Sequence, residues 1–387
     1  MELENKIKLK RVLVCIDWYE PGFKAGGPIR SVVNIINALR GEFEFYVLTS
    51  AYDLGETEPY PGIETNQWFD HDGILIKYLS KDNMKSSAIR GNVLEIAPDL
   101  IYLNSLFSTL FTLVPLRLAK KIPVIIAPRG MLGAGALAIK KNKKRTFLRI
   151  AKWSRIYKNV TWHASSNLEA DEIYGMFGTQ IKVFVAQNIS VVQSIKLDDI
   201  LERKSFDRIK IVFISRISKK KNLLTAIKAL HKLNVDIPID FTFYGNIEED
   251  NYFKQLKRGL VNSNGLTIKY GGVLRPEEIK AVYAEANFML MPTEHENYGH
   301  AIVEAWAFGC PVIISKNTPW LDLQEKNIGW DVSLEEEGAL ENAITRAVEI
   351  NQEEYFDMVK SSFSFFAENL AAENVIESNK NLFNNVS

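Results

Sequence analysis

The feature that most constrains this chain is a rhythm of strands and helices that runs its course twice. In the first half, apolar runs suited to strands occur at Val12–Ile16, Phe45–Leu48, Ile74–Tyr78, Leu100–Leu103, Val124–Ala127, Thr161–Ala164 and Val183–Ala186, separated by helical patterns. The rhythm restarts at Ile209–Ile214 and continues through Asp240–Tyr244, Thr267–Tyr270, Phe288–Met291, Val312–Ile314 and Gly329–Val332. Strands alternating with helices predict right-handed βαβ units and mostly parallel sheets. The chain therefore reads as α/β, with two doubly wound, Rossmann-like domains whose ligands bind beyond the strand C-termini. The first domain spans 1–190. The polar, weakly patterned stretch 191–207 reads as a linker, and the second domain spans 208–365.

Composition removes several classes. A length of 387 residues suffices for two cores. Lys+Arg and Asp+Glu are both 47, so no global field points to nucleic acid. Two cysteines, Cys15 in an expected strand and Cys310 after an expected helix, do not make a disulfide framework and fit a reducing cytosol. The stretch Met1–Lys6 has no apolar core of a signal peptide. The most apolar window, Leu100–Ala119, is interrupted by Asn104, Pro115 and Arg117, and is expected to be a buried strand, a turn and a core helix rather than a membrane span. A cytoplasmic protein is expected.

The chemistry concentrates in Met291–Pro311. A strand stops at Pro292, a polar loop carries Glu294 and Glu296, and a helix is expected from about Tyr298 to Gly309, burying Ile302, Val303 and Trp306. Glu304 lies eight residues after Glu296. On a helical rise of 1.5 Å per residue the two carboxylates would stand about 12 Å apart, too far to share a proton or a metal ion. They suit hydroxyl groups at the two ends of an elongated ligand, with helix N-terminal N–H groups between them for an anion. A nucleotide sugar has that layout. The run Glu296-Asn-Tyr-Gly-His-Ala-Ile-Val-Glu304-Ala, followed by Gly309-Cys-Pro-Val-Ile, resembles the acidic E-x7-E signature of retaining glycosyltransferases of family 4.

That resemblance implies the GT-B fold, with two Rossmann-like domains facing a central cleft. The first would bind the acceptor and the second the nucleotide sugar, and the helical stretch after Gln352 would return to the first domain over 366–387. An apolar strand delivers Arg216, and Lys221 opens the next helix; this matches the family's Arg…Lys pair for the donor diphosphate, whose developing negative charge preorganised cations stabilise. The resemblance further implies Glu296 on the hydroxyls of the transferred sugar, backbone N–H groups of Asn297, Tyr298 and Gly299 assisting it, and Glu304 on the ribose. Val273 and Leu274 would meet the base, and Gly26 and Gly27 would face the diphosphate or the acceptor. Family members often carry His-Gly where this chain has Arg129-Gly130; Arg129 suits an anionic acceptor group held bidentately. Transfer with retention, no metal and no other cofactor, and a glycan or lipid-linked acceptor of a surface polysaccharide complete what the resemblance implies. The fold also hosts nucleotide-sugar epimerases.

Other patterns carry alternatives. Asp70-His71-Asp72 looks like a metal-binding triplet but precedes Gly73 and is better read as a turn. His295 and His300 are five apart, not the four of a zinc-binding helix. His163 ends a strand and reads as a satisfied structural histidine. Residues 140–158 carry nine Lys or Arg and no acid, interleaved with Phe147, Leu148, Ile150, Trp153 and Ile156. This basic amphipathic segment either lies on an anionic membrane or packs its apolar side on the sheet with its charges solvated. A membrane-surface binding protein is the reading from another class.

Overall fold

The computed structural model describes residues 8–138, 141–190, 195–234, 236–263, 265–371 and 373–386. It resolves into two compact units, Met1–Ile189 with Glu373–Ser387, and Ser190–Ala372. The first unit holds β1 (Lys10–Cys15), β2 (Phe43–Ser50), β3 (Trp68–His71), β4 (Ile74–Leu79), β5 (Leu100–Leu103), β6 (Val124–Ile126), β7 (Val160–Ala164) and β8 (Lys182–Val185), in the order β3-β4-β2-β1-β5-β6-β7-β8. The second holds β9 (Ile209–Ile214), β10 (Ile239–Tyr244), β11 (Val261–Asn262), β12 (Leu266–Tyr270), β13 (Phe288–Met291), β14 (Val312–Ser315) and β15 (Gly329–Val332), in the order β11-β12-β10-β9-β13-β14-β15. All pairings are parallel except β3 with β4 and β11 with β12.

The first sheet is buried on both faces because its strands are apolar at consecutive positions. Val12 and Val14 enter one core, with Ile29, Val32 and Ile36 of the helix Gly27–Leu39, while Leu13 and Cys15 enter the other, with Ile89 and Val93. Period-2 alternation sends neighbours to opposite faces, so both faces need helical cover. The helix Glu373–Asn384 supplies part of that cover. Its Leu382 and Phe383 are fully buried, and the Phe383 ring lies 5.1 Å from Tyr102 and 5.5 Å from Phe43. Each such side chain contributes about 1.5–3 kcal/mol by leaving water.

The expected strands are present, with ends displaced by a residue or two. Three features differ. The stretch expected as a linker contains the helix Leu197–Arg203, whose Ile200 is fully buried in the second core; residues 191–194 lie outside the described ones. The helix Gln352–Asn369 keeps Tyr355 and Val359 in the second core, and the segment that packs on the first begins only at Glu373. β3 forms a hairpin with β4 through Asp72-Gly73, both at positive φ (52° and 82°), as a two-residue turn demands. Asp70 closes that turn by accepting from the Gly73 N–H at 2.7 Å. After β5 the apolar window continues as a π-helical turn, Thr109–Leu113, and a short helix, Val114–Leu118. Among the described residues no helix is long and apolar enough to cross a membrane.

Candidate functional site

In the second sheet the chain leaves β9 toward β10 and β12 on one side, whereas β13, β14 and β15 build outward on the other. The order reverses between β9 and β13, and the strand C-termini at such a reversal are where doubly wound sheets hold ligands. The loop after β9 carries Arg216 and Lys221, and the loop after β13 carries Glu294 and Glu296. Lys221 Nζ donates to Glu296 Oε2, and the pair is 10% and 16% exposed.

Several bonds fix that meeting. Lys221 ends the 3-10 turn Lys219–Lys221, and Asn222 turns left-handed (φ 55°) to start the helix Leu223–His231. The Lys220 carbonyl accepts from Glu294 N at 2.8 Å and Thr293 Oγ1 at 3.2 Å, and Glu296 N donates to Asn317 O at 2.9 Å. The loops after β9, β13 and β14 are thereby stitched into one wall. Burial alone would raise the Glu296 pKa, but the charges of Lys221, Lys220 and Arg216 outweigh it and hold the carboxyl below its usual range. Burial, then Lys220, lowers the pKa of His295, leaving it neutral near pH 7.

Arg216 is more exposed and pairs with Glu248. The β9 and β10 loops touch here: a Cβ on Gly245 would lie 1.9 Å from the Ser215 carbonyl oxygen, so only glycine fits. Gly245 N in turn donates to Gly272 O at 2.8 Å, tying the loop after β12 to the same edge. The two residues expected to meet a base part company there. Val273 is 45% exposed, whereas Leu274 packs against the core.

The helix after β13 starts later than the sequence suggests, at His300, and ends at Ala307. Glu296, Asn297 and Tyr298 therefore stand in a loop, Glu304 alone is helical and half-buried, and the separation of about 12 Å expected from a continuous helical rise does not apply. The cause is local. Tyr298 is buried, its carbonyl accepts from Trp320 Nε1 at 2.5 Å, and its hydroxyl lies 3.3 Å from Ser190 Oγ. Gly299 then takes φ 80°, where a Cβ would crowd Ile302 Cδ1 at 2.8 Å and Glu296 Cγ at 3.2 Å. His295 in the loop and His300 on the helix share no helical face.

The first sheet has its own order reversal, between β1 and β5. Ser108, beyond β5, donates to Asp17 Oδ1 at 2.7 Å, just beyond β1. Burial raises the Asp17 pKa against that hydrogen bond. Arg129 follows β6 with φ 54°, a left-handed conformation that costs a non-glycine residue about 1–2 kcal/mol. Its guanidinium donates to Asn188 Oδ1 (2.7 Å), Tyr102 Oη (2.5 Å) and twice to Asn104 Oδ1 (2.9 and 3.2 Å). Four of its five N–H donors are thus committed to neutral oxygens, and a bidentate grip on an acceptor anion would have to release some of them. Tyr102 also meets His163 Nδ1 at 2.8 Å, while His163 Nε2 faces the Ala186 carbonyl at 2.8 Å. A carbonyl only accepts, which puts the imidazole proton on Nε2. Burial, then Arg129, pushes the His163 pKa down to about 3. Gly26, at φ 70° and ψ −126°, precedes the helix that Gly27 opens; a Cβ there would meet nothing within 4 Å, so its glycine serves conformation.

The structure brings together Lys221 and Glu296, stations Arg216 and Val273 on the same sheet edge, and keeps Gly26, Gly27 and Arg129 in the first unit. The partners Glu248, Gly245, Asp17, Ser108, Asn104 and Asn188 were missed; Asp17 and Ser108 had a sequence signal, since both closely follow expected strands.

Residues 199–362, which lie within the second unit, match the family model described as Glycosyl transferases group 1. A 2-deoxystreptamine glucosyltransferase of Streptomyces kanamyceticus is 35% identical over 102 residues, a span covering 26% of each chain. The match thus spans about a quarter of that relative. HepE of Anabaena, solved with UDP-glucose, superposes with a TM-score of 0.72 at 16% identity, covering 97% of this chain and 100% of that one. Sucrose-phosphate synthase of Thermosynechococcus elongatus gives 0.75 at 15% identity, covering 97% and 98%. WaaG, described as a glycosyltransferase involved in lipopolysaccharide biosynthesis, gives 0.69 at 12% identity, covering 97% of this chain and 100% of that one. These likenesses identify the fold as GT-B.

Proposed function

We propose that the chain is a cytoplasmic glycosyltransferase that moves a hexose from a UDP- or GDP-sugar to a glycan or lipid-linked acceptor, with retention at the anomeric carbon, in surface-polysaccharide assembly. The observation that carries this reading is the Lys221–Glu296 pair at the order reversal of the second sheet, inside the segment that matches the group 1 model. The UDP-glucose held by HepE and the glucosyl transfer named for the Streptomyces relative favour a UDP-hexose donor.

In this reading the ion pair holds the site closed on itself until a donor arrives. The diphosphate then takes Lys221 and draws Arg216 from Glu248, while Glu296 turns to the sugar hydroxyls, assisted by the backbone of Asn297, Tyr298 and Gly299. Glu304 holds the ribose, and Val273, with the Leu274 backbone, meets the base. Transfer breaks the bond between the anomeric carbon and the phosphate oxygen. The electron pair goes to the diphosphate, where the two cations stabilise it, and the acceptor oxygen bonds the anomeric carbon from the same face. The acceptor proton passes to the departing phosphate. The site needs no metal or other cofactor for these roles. Gly26, Gly27 and Arg129 serve the acceptor from the first unit.

The test incubates the protein with UDP-, GDP- and ADP-hexoses, with and without a glycan or lipid extract as acceptor, and follows nucleotide release and the anomeric proton by NMR. Acceptor-dependent release with an unchanged anomeric configuration is expected. Inversion would remove the retaining mechanism, and an altered sugar nucleotide without acceptor would make the protein an epimerase.

A further inference from the structure

From Leu100 to Leu168 the chain has thirteen Lys or Arg and not one Asp or Glu, although the whole sequence has 47 of each kind. Eight of these cations lie within 141–158, the described part of the basic segment; Lys140 lies outside it. The structure shows how they are displayed. The helix Lys141–Trp153 buries Leu148 and Ala151, each 4% exposed, against the first unit's core. At about 100° per residue, the direction opposite these two belongs to Trp153 and Ile150. They are 87% and 58% exposed. Arg145 and Arg149 flank this ridge on one side and Lys143 on the other.

The helix thus packs one apolar side inward and turns a second apolar ridge outward among cations. Lys144 is the exception, turned back to donate to Ala136 O at 2.6 Å. Lys143, Arg145, Arg149, Lys152 and Arg155 have no carboxylate partner among the described residues. A solvated charged face has no use for a bare indole, whose burial is worth more than any one surface ion pair. An indole with an aliphatic neighbour one turn away, between rows of arginine and lysine, matches the headgroup layer of an anionic bilayer: the ridge enters the acyl boundary and the cations meet lipid phosphates.

From this charge and ridge we infer that the outer face of the helix Lys141–Trp153 docks on an anionic lipid bilayer, with Trp153 and Ile150 inserted and Lys143, Arg145 and Arg149 on the headgroups. This stands apart from the glycosyltransferase reading and survives its failure. The experiment sediments the full-length protein with vesicles of phosphatidylcholine alone and with vesicles in which phosphatidylglycerol replaces part of it. Binding to the anionic vesicles only, weakening with added salt, is expected. Each of Arg145→Gln and Arg149→Gln should weaken it by about fivefold. The double variant Ile150→Ser/Trp153→Ser should weaken it by tenfold or more with an unchanged melting temperature, because both side chains are already in water. Brominated lipid should quench wild type more than Trp153→Phe. Equal binding to both vesicle types, no binding to either, or binding indifferent to the double variant would overturn the inference. Tighter retention on duplex nucleic acid, abolished by the same arginine changes, would transfer the surface to a nucleic-acid partner and overturn it equally.

Discussion

The two sheets share one winding and differ in what they place at its reversal. Where β9 meets β13, full charges face each other, Lys221 on Glu296, with Arg216 and Lys220 adding to the field. Where β1 meets β5, a desolvated Asp17 accepts from a neutral hydroxyl, and nearby Arg129 is held by two amides and a phenol. Topology supplies the reversal in both cases and the loop residues decide its chemistry. An ion pair can exchange its partner for a ligand of matching charge. A guanidinium with four donors already engaged cannot be recruited so cheaply, and the first reversal is accordingly the more fixed of the two.

The largest way to break this comparison is to unpair the second reversal. Lys221→Ala should lower kcat/KM for sugar transfer by about 10²–10³, the usual effect of removing one preorganised donor. It should also cost about 3–5 kcal/mol of stability in denaturant titrations, since Glu296 is left charged and shielded from water. Adding Glu296→Gln should restore most of the stability and none of the activity. Recovery of both would mean that the pair is structural.

The second prediction concerns the neutral network. His163 binds a proton near 6.5 when unfolded and at about 3 when folded, so the unfolded state takes up protons first as the pH falls. The stability it supports is complete above pH 6.5 and declines toward pH 3, by about 2 kcal/mol at pH 5. Chemical denaturation across this range should give a flatter profile for His163→Gln. An unchanged slope would remove His163 from the account.

The smallest effect separates the two carboxylates by sign. Asp17 has a raised pKa, so its ionisation opposes folding and its contribution fades as the pH climbs through the folded value. Asp17→Asn, which can still accept from Ser108, should leave the melting temperature at pH 7 unchanged or raised by the equivalent of about 1 kcal/mol. Glu296→Gln alone should lower it, because Lys221 loses its counter-charge. Parallel melts of the two variants decide this; a drop in both would erase the contrast.

Much of this was legible beforehand, for identifiable reasons. β5 and β13 are continuous apolar runs, β9 is broken only by Lys210, and all three are buried at nearly every position, so they advertise themselves. β3 and β11 are short edge strands with intermediate or exposed residues, where neither period nor hydrophobicity stands out. The helix Leu197–Arg203 did carry a signal, Leu197, Ile200 and Leu201 on one face, diluted by its four charged residues. The second-domain site residues were visible as a motif in family order. That Lys221 and Glu296 would touch was not, because it depends on loops anchored to the Lys220 carbonyl and to Asn317. The late start of the helix at His300 depends on Trp320, far along the chain, and the partners of Arg129 come from two other strand ends, those of β5 and β8. Residues contributed by one segment could be read; distances between segments could not.

The most direct measurement of the central claim is a thermal-shift panel of UDP-, GDP- and ADP-hexoses on wild type, Lys221→Ala and Glu304→Ala. A ligand bound only by the native state raises its stability, by about 2.7 kcal/mol at a hundredfold excess over Kd. Selective stabilisation by the UDP-sugar, reduced in both variants, is the result the account predicts. A well-folded wild type that shifts with no nucleotide sugar, or variants that shift as far as wild type does, would contradict it.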